Sequence, residues 1–292
     1  MFFRSVVFRL FLIIDRCHLA CIIIVFFILP VCHTARAQSN LNELTVDRPG
    51  IAESPFTVAP GMYQFEVGFD YFNRYNGKLY NLPVGLFRTG ISEGAELRIS
   101  TKNLVDQLDG KTYSGVSPLW VGVKVHIIHQ HEWIPETDIL TNLIIPLSTA
   151  SVQPINLGHE VYLLFQNDFY PRSAINYNIG YIWDGNQQRG LFSGSFCYNY
   201  LPTEKMGLFL EYFSYVLFNQ WPGEQGADGG MTYLIKPRLQ LDLSAGISSF
   251  QKQNNFFISS GFSVRLERKK GKRILGHANN QKFSRQRSWS SL

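Results

Sequence analysis

The sequence is poor in cysteine and in charged residues. Of its four cysteines, three (Cys17, Cys21 and Cys32) lie near the N-terminus, and only Cys197 lies beyond them. The rest of the chain therefore offers neither an internal disulfide nor a cysteine metal cluster. Charged residues make up 17% of the 292 positions, whereas 45% are hydrophobic and 14% aromatic. This composition excludes a disordered chain, a collagen-like chain and a coiled coil.

The excess of basic residues belongs to the two ends of the chain. The formal net charge is +5, but residues 1–37 hold four Lys or Arg against one acid, and residues 267–292 hold eight against one. The middle of the chain has 15 basic and 20 acidic residues, a net charge of −5. A nucleic-acid partner is therefore not expected. Residues 267–292 lack apolar periodicity and are predicted to be a basic, disordered tail.

Long apolar runs are also missing, except within the first 37 residues. There, Arg4 and Arg9 form a positively charged start, a twelve-residue apolar core lies at 20–31, and small residues follow at 35–37. The core is shorter than the ~20 residues of a transmembrane helix. This organisation predicts a signal peptide over residues 1–37 that is cleaved after export, followed by a periplasmic N-terminal segment over 38–61.

Alternation of apolar and polar residues dominates the remainder. From 62 to 72, the odd positions from 63 onward are Tyr, Phe, Val, Phe and Tyr, and the even positions between them are Gln, Glu, Gly and Asp. The pattern recurs about twelve times, mostly in segments of about 10–12 residues, near the ~9–11 that a tilted strand needs to cross a bilayer. The predicted strands are 62–72, 79–90, 95–102, 117–128, 137–146, 159–169, 173–183, 191–201, 206–217, 230–237, 239–249 and 256–266.

The connections between these strands alternate in length. Even-numbered connections are mostly tight turns, although 129–136 is longer. Odd-numbered connections are longer and polar, and comprise 103–116, 147–158, 184–190, 218–229 and 250–255. The chain is therefore predicted to be all-β: a transmembrane antiparallel up-and-down β-barrel of about 12 strands over 62–266, in the outer membrane of a Gram-negative bacterium. A soluble sandwich or lipocalin-like barrel is the alternative, but the polar faces carry mainly Gly, Ser, Asn and Gln rather than Lys and Glu.

A sequence motif precedes and enters the first predicted strand. The chain reads Asp-Arg-Pro at 47–49, Glu-Ser-Pro-Phe at 53–56, and Gln-x-Glu-x-Gly at 64–68. Over residues 45–102 it resembles an outer-membrane transporter family of the phenol meta-cleavage (MetA) degradation pathway. The resemblance implies a transporter or channel for small, aromatic or apolar molecules. The motif residues are Asp47, Arg48, Pro49, Glu53, Ser54 and Pro55.

Charged and polar side chains on the inward parity of the strands are the candidate lumen residues. They are Glu66, Asp70, Glu96, Arg98, Lys102, Lys124, His126, Asp168, Asp242 and Arg265. Twelve strands enclose less space than the ~16–18 strands of open porins. These side chains could form a narrow charged pore that selects small solutes, or pair with one another and fill the interior.

The three charged motif residues have two interpretations. Asp47, Arg48 and Glu53 could belong to a periplasmic plug or gate that folds under or into the barrel. Alternatively, they form a structural clasp in which Asp47 and Glu53 hold Arg48 through charge-assisted hydrogen bonds. We expect the clasp.

Catalysis, cofactors and metals are not indicated. No His-x-Ser pattern occurs beyond the leader. His126, His129, His131 and Glu132 form a possible metal-binding cluster. If the strand continues, however, His126 and His129 have opposite parity and are predicted to point apart, so a solvated strand end is expected and no metal site. The expected partners are outer-membrane lipid, a small solute of unknown identity and, during biogenesis, the barrel-assembly machinery. The alternative function is a filled structural or adhesive barrel whose extracellular loops bind a partner.

Overall fold

The computed structural model describes residues 44–147, 156–169, 172–183, 185, 190–217 and 220–268. The predicted leader and nearly all of the basic tail lie outside these residues. Within the described part of the chain, no helix has the length and apolarity needed to cross a bilayer. The strands are β1 (Met62–Arg74), β2 (Gly77–Ser92), β3 (Ala95–Leu108), β4 (Lys111–Val116), β5 (Leu119–Ile128), β6 (Glu136–Ile145), β7 (Gly158–Phe169), β8 (Ser173–Trp183), β9 (Leu191–Tyr200), β10 (Met206–Leu217), β11 (Gln220–Lys236), β12 (Leu239–Phe250) and β13 (Gln253–Glu267).

The strands close into an antiparallel barrel. β1 pairs with β2 on one side and with β13 on the other. β4 and β5 share one position in the wall, because β4 pairs with the second half of β3 and β5 with its first half. Ser117 and Pro118 separate β4 from β5, and a proline has no N–H to donate to a ladder. The wall therefore has twelve strand positions, and the predicted 12-stranded barrel is confirmed.

Alternation gives the wall a polar inner face and an apolar outer face. Glu211 is 1% exposed, whereas Leu210 beside it is 67% exposed. Buried polar residues and exposed apolar residues reverse the order found in water-soluble proteins. Other apolar side chains on the outer face include Phe65, Leu163, Ile179, Phe196, Tyr212, Leu241, Ile247 and Phe262. Hydrocarbon is the environment that suits such a surface.

The long loop predicted at 103–116 is wrong. β3 continues through this region and turns back as β4 at Asp109-Gly110. These two residues have φ angles of 49° and 76°. Two successive positive φ angles are typical of the two-residue hairpin turns whose twist matches that of the flanking strands.

The loops predicted at 218–229 and 250–255 are also mostly strand. β11 occupies most of the first, and β12 and β13 meet at a two-residue turn formed by Gln251 and Lys252. Their φ angles are 50° and 65°. The strands at this end of the barrel are therefore longer than the sequence predicted, and they project as hairpins.

The residues before β1 enter the barrel beside the end of β2. Pro60 forms a parallel bridge with Gly90, and Val58, Ala59 and Met62 form a small buried apolar cluster. A Cβ atom at Gly90 would lie 2.3 Å from the carbonyl oxygen of Val58. Glycine at this position therefore allows the N-terminal segment to pass close to the wall.

Candidate functional site: the lumen and its inner segment

Residues 44–61, which we call the inner segment, lie inside the barrel. Glu66 on β1 accepts hydrogen bonds from two successive amides of this segment, both at 3.1 Å. Glu211 on β10 accepts hydrogen bonds from the amides of Ile51 and Ala52, the first of them at 2.7 Å. Asn178 on β8 accepts a bond of 2.8 Å from the amide of Glu53. Because these acceptors project from well-separated strands, the segment crosses the lumen rather than lying beneath it.

Asp47 of the inner segment is the centre of a buried cluster of charges. Its Oδ2 atom lies 2.5 Å from Nη1 of Arg98, 2.9 Å from Nη1 of Arg88 and 3.0 Å from Nζ of Lys124. Burial opposes ionisation of Asp47, but Arg88, Lys124 and Arg98 outweigh it and hold the pKa of Asp47 well below its ordinary value. Asp47 is therefore an anion at neutral pH, and it joins the segment to three strands.

Arg88 links this cluster to the wall. Its Nε and Nη2 atoms donate to the two carboxylate oxygens of Glu96, at 2.9 and 3.0 Å, and its Nη1 donates to Glu66 at 3.0 Å. Arg88 is fully buried but was not among the predicted lumen residues. Val84 and Leu86 lie on the same parity of β2, so the polar-in pattern is broken there. The inward position of Arg88 could have been inferred from Gln64, the polar residue paired with it on β1.

Arg48 turns to the opposite side of the lumen. Its Nη2 atom donates to Oγ of Ser259 at 2.8 Å. The same atom lies 3.5 Å from a carboxylate oxygen of Asp242 and 3.7 Å from one of Asp70. Arg48 thus contacts β1, β12 and β13.

The predicted clasp of Arg48 by Asp47 and Glu53 is therefore wrong. Both acids pair with cations of the wall, and Arg48 pairs with acids of the wall. The guanidinium group fits because Gly68 and Gly261 face each other on β1 and β13 and have no side chains. A Cβ atom at Gly68 would lie 2.1 Å from Cζ of Arg48.

The predicted lumen residues differ in burial. Asp70 and Lys102 are half-buried, and the side chain of His126 is 6% exposed. Asp168 is exposed near the end of β7, where Gln166 and Gln130 bind it, so it lies at the rim rather than in the closed lumen. The residues buried inside are Glu66, Glu96, Arg98, Lys124, Asp242 and Arg265.

Two buried carboxylates, on strands with poor alternation, were not among the predicted lumen residues. Glu211 lies between Phe209 and Phe213, two aromatic residues of the same parity. Glu160 shares its parity with Tyr162 and Leu164, and it accepts a hydrogen bond from Asn142 at 2.7 Å. Because large apolar residues share the inward parity of these carboxylates, alternation alone does not show that they face the lumen.

A cavity of about 280 Å³ lies between the inner segment and the wall. Val84, Leu86 and Trp120 supply apolar surface, and Lys102 and Glu160 supply charge. A cavity of about 150 Å³ is enough to hold benzene, so this one can accommodate a single-ring molecule. The full lining is Asp47, Arg48, Glu53, Val84, Leu86, Arg98, Ser100, Thr101, Lys102, Trp120, Asn142 and Glu160.

The prediction that His126 and His129 point apart is wrong. The register between β5 and β6 shifts between His126 and Ile128. The two imidazole rings stack with their centroids 4.0 Å apart. An irregularity in the ladder breaks the strict alternation on which the prediction relied.

A closed barrel with an apolar exterior and its own N-terminal segment across the lumen defines the class: this chain has the fold of an outer-membrane β-barrel. Residues 46–266 match the family described as "Putative MetA-pathway of phenol degradation". The chain belongs to that family, and the resemblance found in its N-terminal motif is confirmed.

Solved structures show the same fold. The COG4313 outer membrane channel from Pseudomonas putida F1 is 12% identical, with 76% of this chain and 100% of that chain covered and a TM-score of 0.60. The NanC porin is 11% identical, with 69% of this chain and 100% of that chain covered and a TM-score of 0.50. No curated protein sequence matches the chain significantly.

Proposed function

We propose that the chain is an outer-membrane transporter or channel for small molecules, in which the inner segment narrows the path through the lumen. In this proposal, the protein belongs to a Gram-negative bacterium. A signal peptide directs its export and is cleaved off after residue 37. The barrel-assembly machinery then inserts it into the outer membrane. We expect no enzymatic activity, cofactor or nucleic-acid partner.

The cavity beside the inner segment is the observation that carries this proposal. Trp120 and Leu86 offer an apolar surface, while Lys102 and Glu160 offer ionisable hydrogen-bonding groups in its lining. Its volume of about 280 Å³ suits one small solute. Binding sites for small molecules typically combine apolar walls with a few such polar groups. The description of the family adds the expectation that the solutes are aromatic or apolar.

A filled structural or adhesive barrel is the second candidate. The ion pairs around Asp47 and Arg48 support it, because they occupy much of the lumen with mutually neutralising charges. In that case no solute passes, and the extracellular hairpins bind a partner.

Conductance of the reconstituted protein distinguishes the two candidates. The mature protein and a variant lacking residues 44–58 are inserted into planar bilayers, after their folding has been verified by heat-modifiable migration on gels. A channel narrowed by the inner segment gives small discrete current steps, and the deletion gives larger ones. Absence of steps from both folded proteins contradicts the channel. Uptake of phenol into vesicles containing wild-type protein then tests the solute class.

A further inference from the structure

Four potential metal-binding side chains converge where β5 ends and β6 begins. Nδ1 of His126 lies 3.3 Å from Oε1 of Glu136 and 2.8 Å from Oδ1 of Asp138. Nδ1 of His129 lies 3.1 Å from the same oxygen of Glu136. The donor atoms of His126, His129 and Glu136 all lie within 4.8 Å of one another. We call these four residues the histidine cluster.

The loop between β5 and β6 holds the cluster in position. The shift in register after His126 brings His129 to the same side of the hairpin. The amide of Gln130 donates to Oε2 of Glu136 at 2.7 Å, which leaves Oε1 facing the two imidazoles. The side chain of Gln130 accepts a bond of 2.8 Å from the amide of Asp168 on β7. The loop is thus anchored to a neighbouring strand.

Burial distinguishes the cluster from a group of surface side chains. The side chains of Asp138 and His126 are 0% and 6% exposed, and that of Glu136 is 13% exposed. Nε2 of His126 and Oδ2 of Asp138 are buried without a hydrogen-bond partner in the described structure. The side chain of His129 is half-exposed, so an ion can reach the cluster from solvent.

The spacing of the donors suits a small divalent ion. Four ligands at tetrahedral positions about 2.0–2.1 Å from Zn²⁺ lie about 3.3–3.4 Å apart. The distances of 3.3 and 3.1 Å from the imidazoles to Glu136 are close to this value. Imidazole together with carboxylate is a donor set that suits zinc, copper and nickel rather than calcium or magnesium.

We propose that His126, His129 and Glu136, with Asp138 as fourth ligand, bind a divalent transition-metal ion of the zinc type. The site lies at the end of the barrel where β1 begins, because the amide of His126 bonds to the carbonyl oxygen of Gly94 in the β2–β3 turn at 2.8 Å. A bound ion joins β5, its following loop and β6 at that mouth.

Zinc binding to the mature protein in detergent, without an affinity tag and after treatment with chelator, tests the proposal. We expect one Zn²⁺ per chain in competition with a chromophoric chelator, and we expect Co²⁺ to give the visible absorption bands of a four-coordinate site. The ligand variants are His129→Ala, whose side chain is half-exposed, and Glu136→Gln, which keeps its shape and an acceptor for Gln130. The matched control is His131→Ala, in the same loop, because His131 uses its backbone to bond Ile134.

Removing an outer-shell partner of a metal typically weakens binding by about 10–100-fold, and we expect at least this loss in both ligand variants. His131→Ala should bind as the wild type does, and all four proteins should show the same heat-modifiable migration. The proposal is overturned if the folded wild type fails to bind a molar equivalent of Zn²⁺. It is equally overturned if the ligand variants retain wild-type affinity, or if His131→Ala loses affinity to the same extent. None of these outcomes depends on whether the barrel conducts solutes.

Discussion

Replacing Asp47 by asparagine should release the inner segment from the lumen. The substitution preserves the shape of the side chain but removes the charge that Arg88, Arg98 and Lys124 share. When the segment of the variant is docked, the three buried cations therefore lack one of their negatively charged partners. The barrel wall itself loses none of its strand pairing.

The size of the effect follows from burial of the partners. Removing one member of a buried ion pair typically costs about 3–5 kcal/mol. Glu66 and Glu96 still neutralise Arg88, both through hydrogen bonds of 2.9–3.0 Å, so the lower end of that range applies. A loss of about 3 kcal/mol corresponds to a rise of about 150-fold in the open fraction of the segment.

Hydrogen exchange followed by mass spectrometry measures that fraction, because a bonded amide exchanges when its segment opens. The informative amides are those of Ile51 and Ala52, which bond Glu211 and not Asp47. We expect them to exchange about 150-fold faster in Asp47→Asn than in wild type. The control is Asp109→Asn, which makes the same change of charge at an exposed turn. Exchange within about threefold of the wild-type rate would refute the idea that Asp47 anchors the segment.

Three further predictions concern the inner segment and the outer face. Gly68→Val should expel the guanidinium of Arg48, whose Cζ lies 2.1 Å from the site of the new Cβ, and increase channel conductance in planar bilayers. Because the pKa of Asp47 is depressed in the folded protein, its stabilising contribution is complete above its ordinary value of 3.8 and is lost as the pH falls further. The conductance of the wild type should therefore rise as the pH falls below about 3.8, and Asp47→Asn should not show this rise. Leu210→Arg should lower the free energy of unfolding in lipid vesicles by about 2–4 kcal/mol in a urea titration, because Leu210 lies near the middle of β10 on its outer face. An unchanged urea midpoint would show that hydrocarbon does not cover this residue.

Alternation predicted the strands well wherever the two faces differ in polarity. β1 follows this rule throughout its first half, with Gln64 and Glu66 buried and Phe65 exposed. The predicted end of this first strand was two residues short, and the hairpin turn at Asp109-Gly110 was missed. Asp-Gly is itself a turn signal of the two-residue type, and here it outweighs the polarity of the residues around it.

Contacts within the lumen were beyond the reach of such patterns. The parity of Arg98 and Lys124 indicated that both face inward, but not that Asp47 lies between them. That contact depends on the path of the inner segment, which has no regular secondary structure and is fixed by side-chain acceptors such as Glu211. The strand parity of His126 likewise indicated nothing about the bulge that follows it.

The pairing of β1 with β13 is the seam at which the first and last strands of the barrel meet. Arg48 reaches both sides of this seam, through Asp70 on β1 and Ser259 on β13, and also contacts Asp242 on β12. These contacts can form only once the last hairpin has been synthesised and brought beside the first. The inner segment therefore bridges the line along which the wall of the barrel closes, and adds side-chain contacts to the strand pairing there.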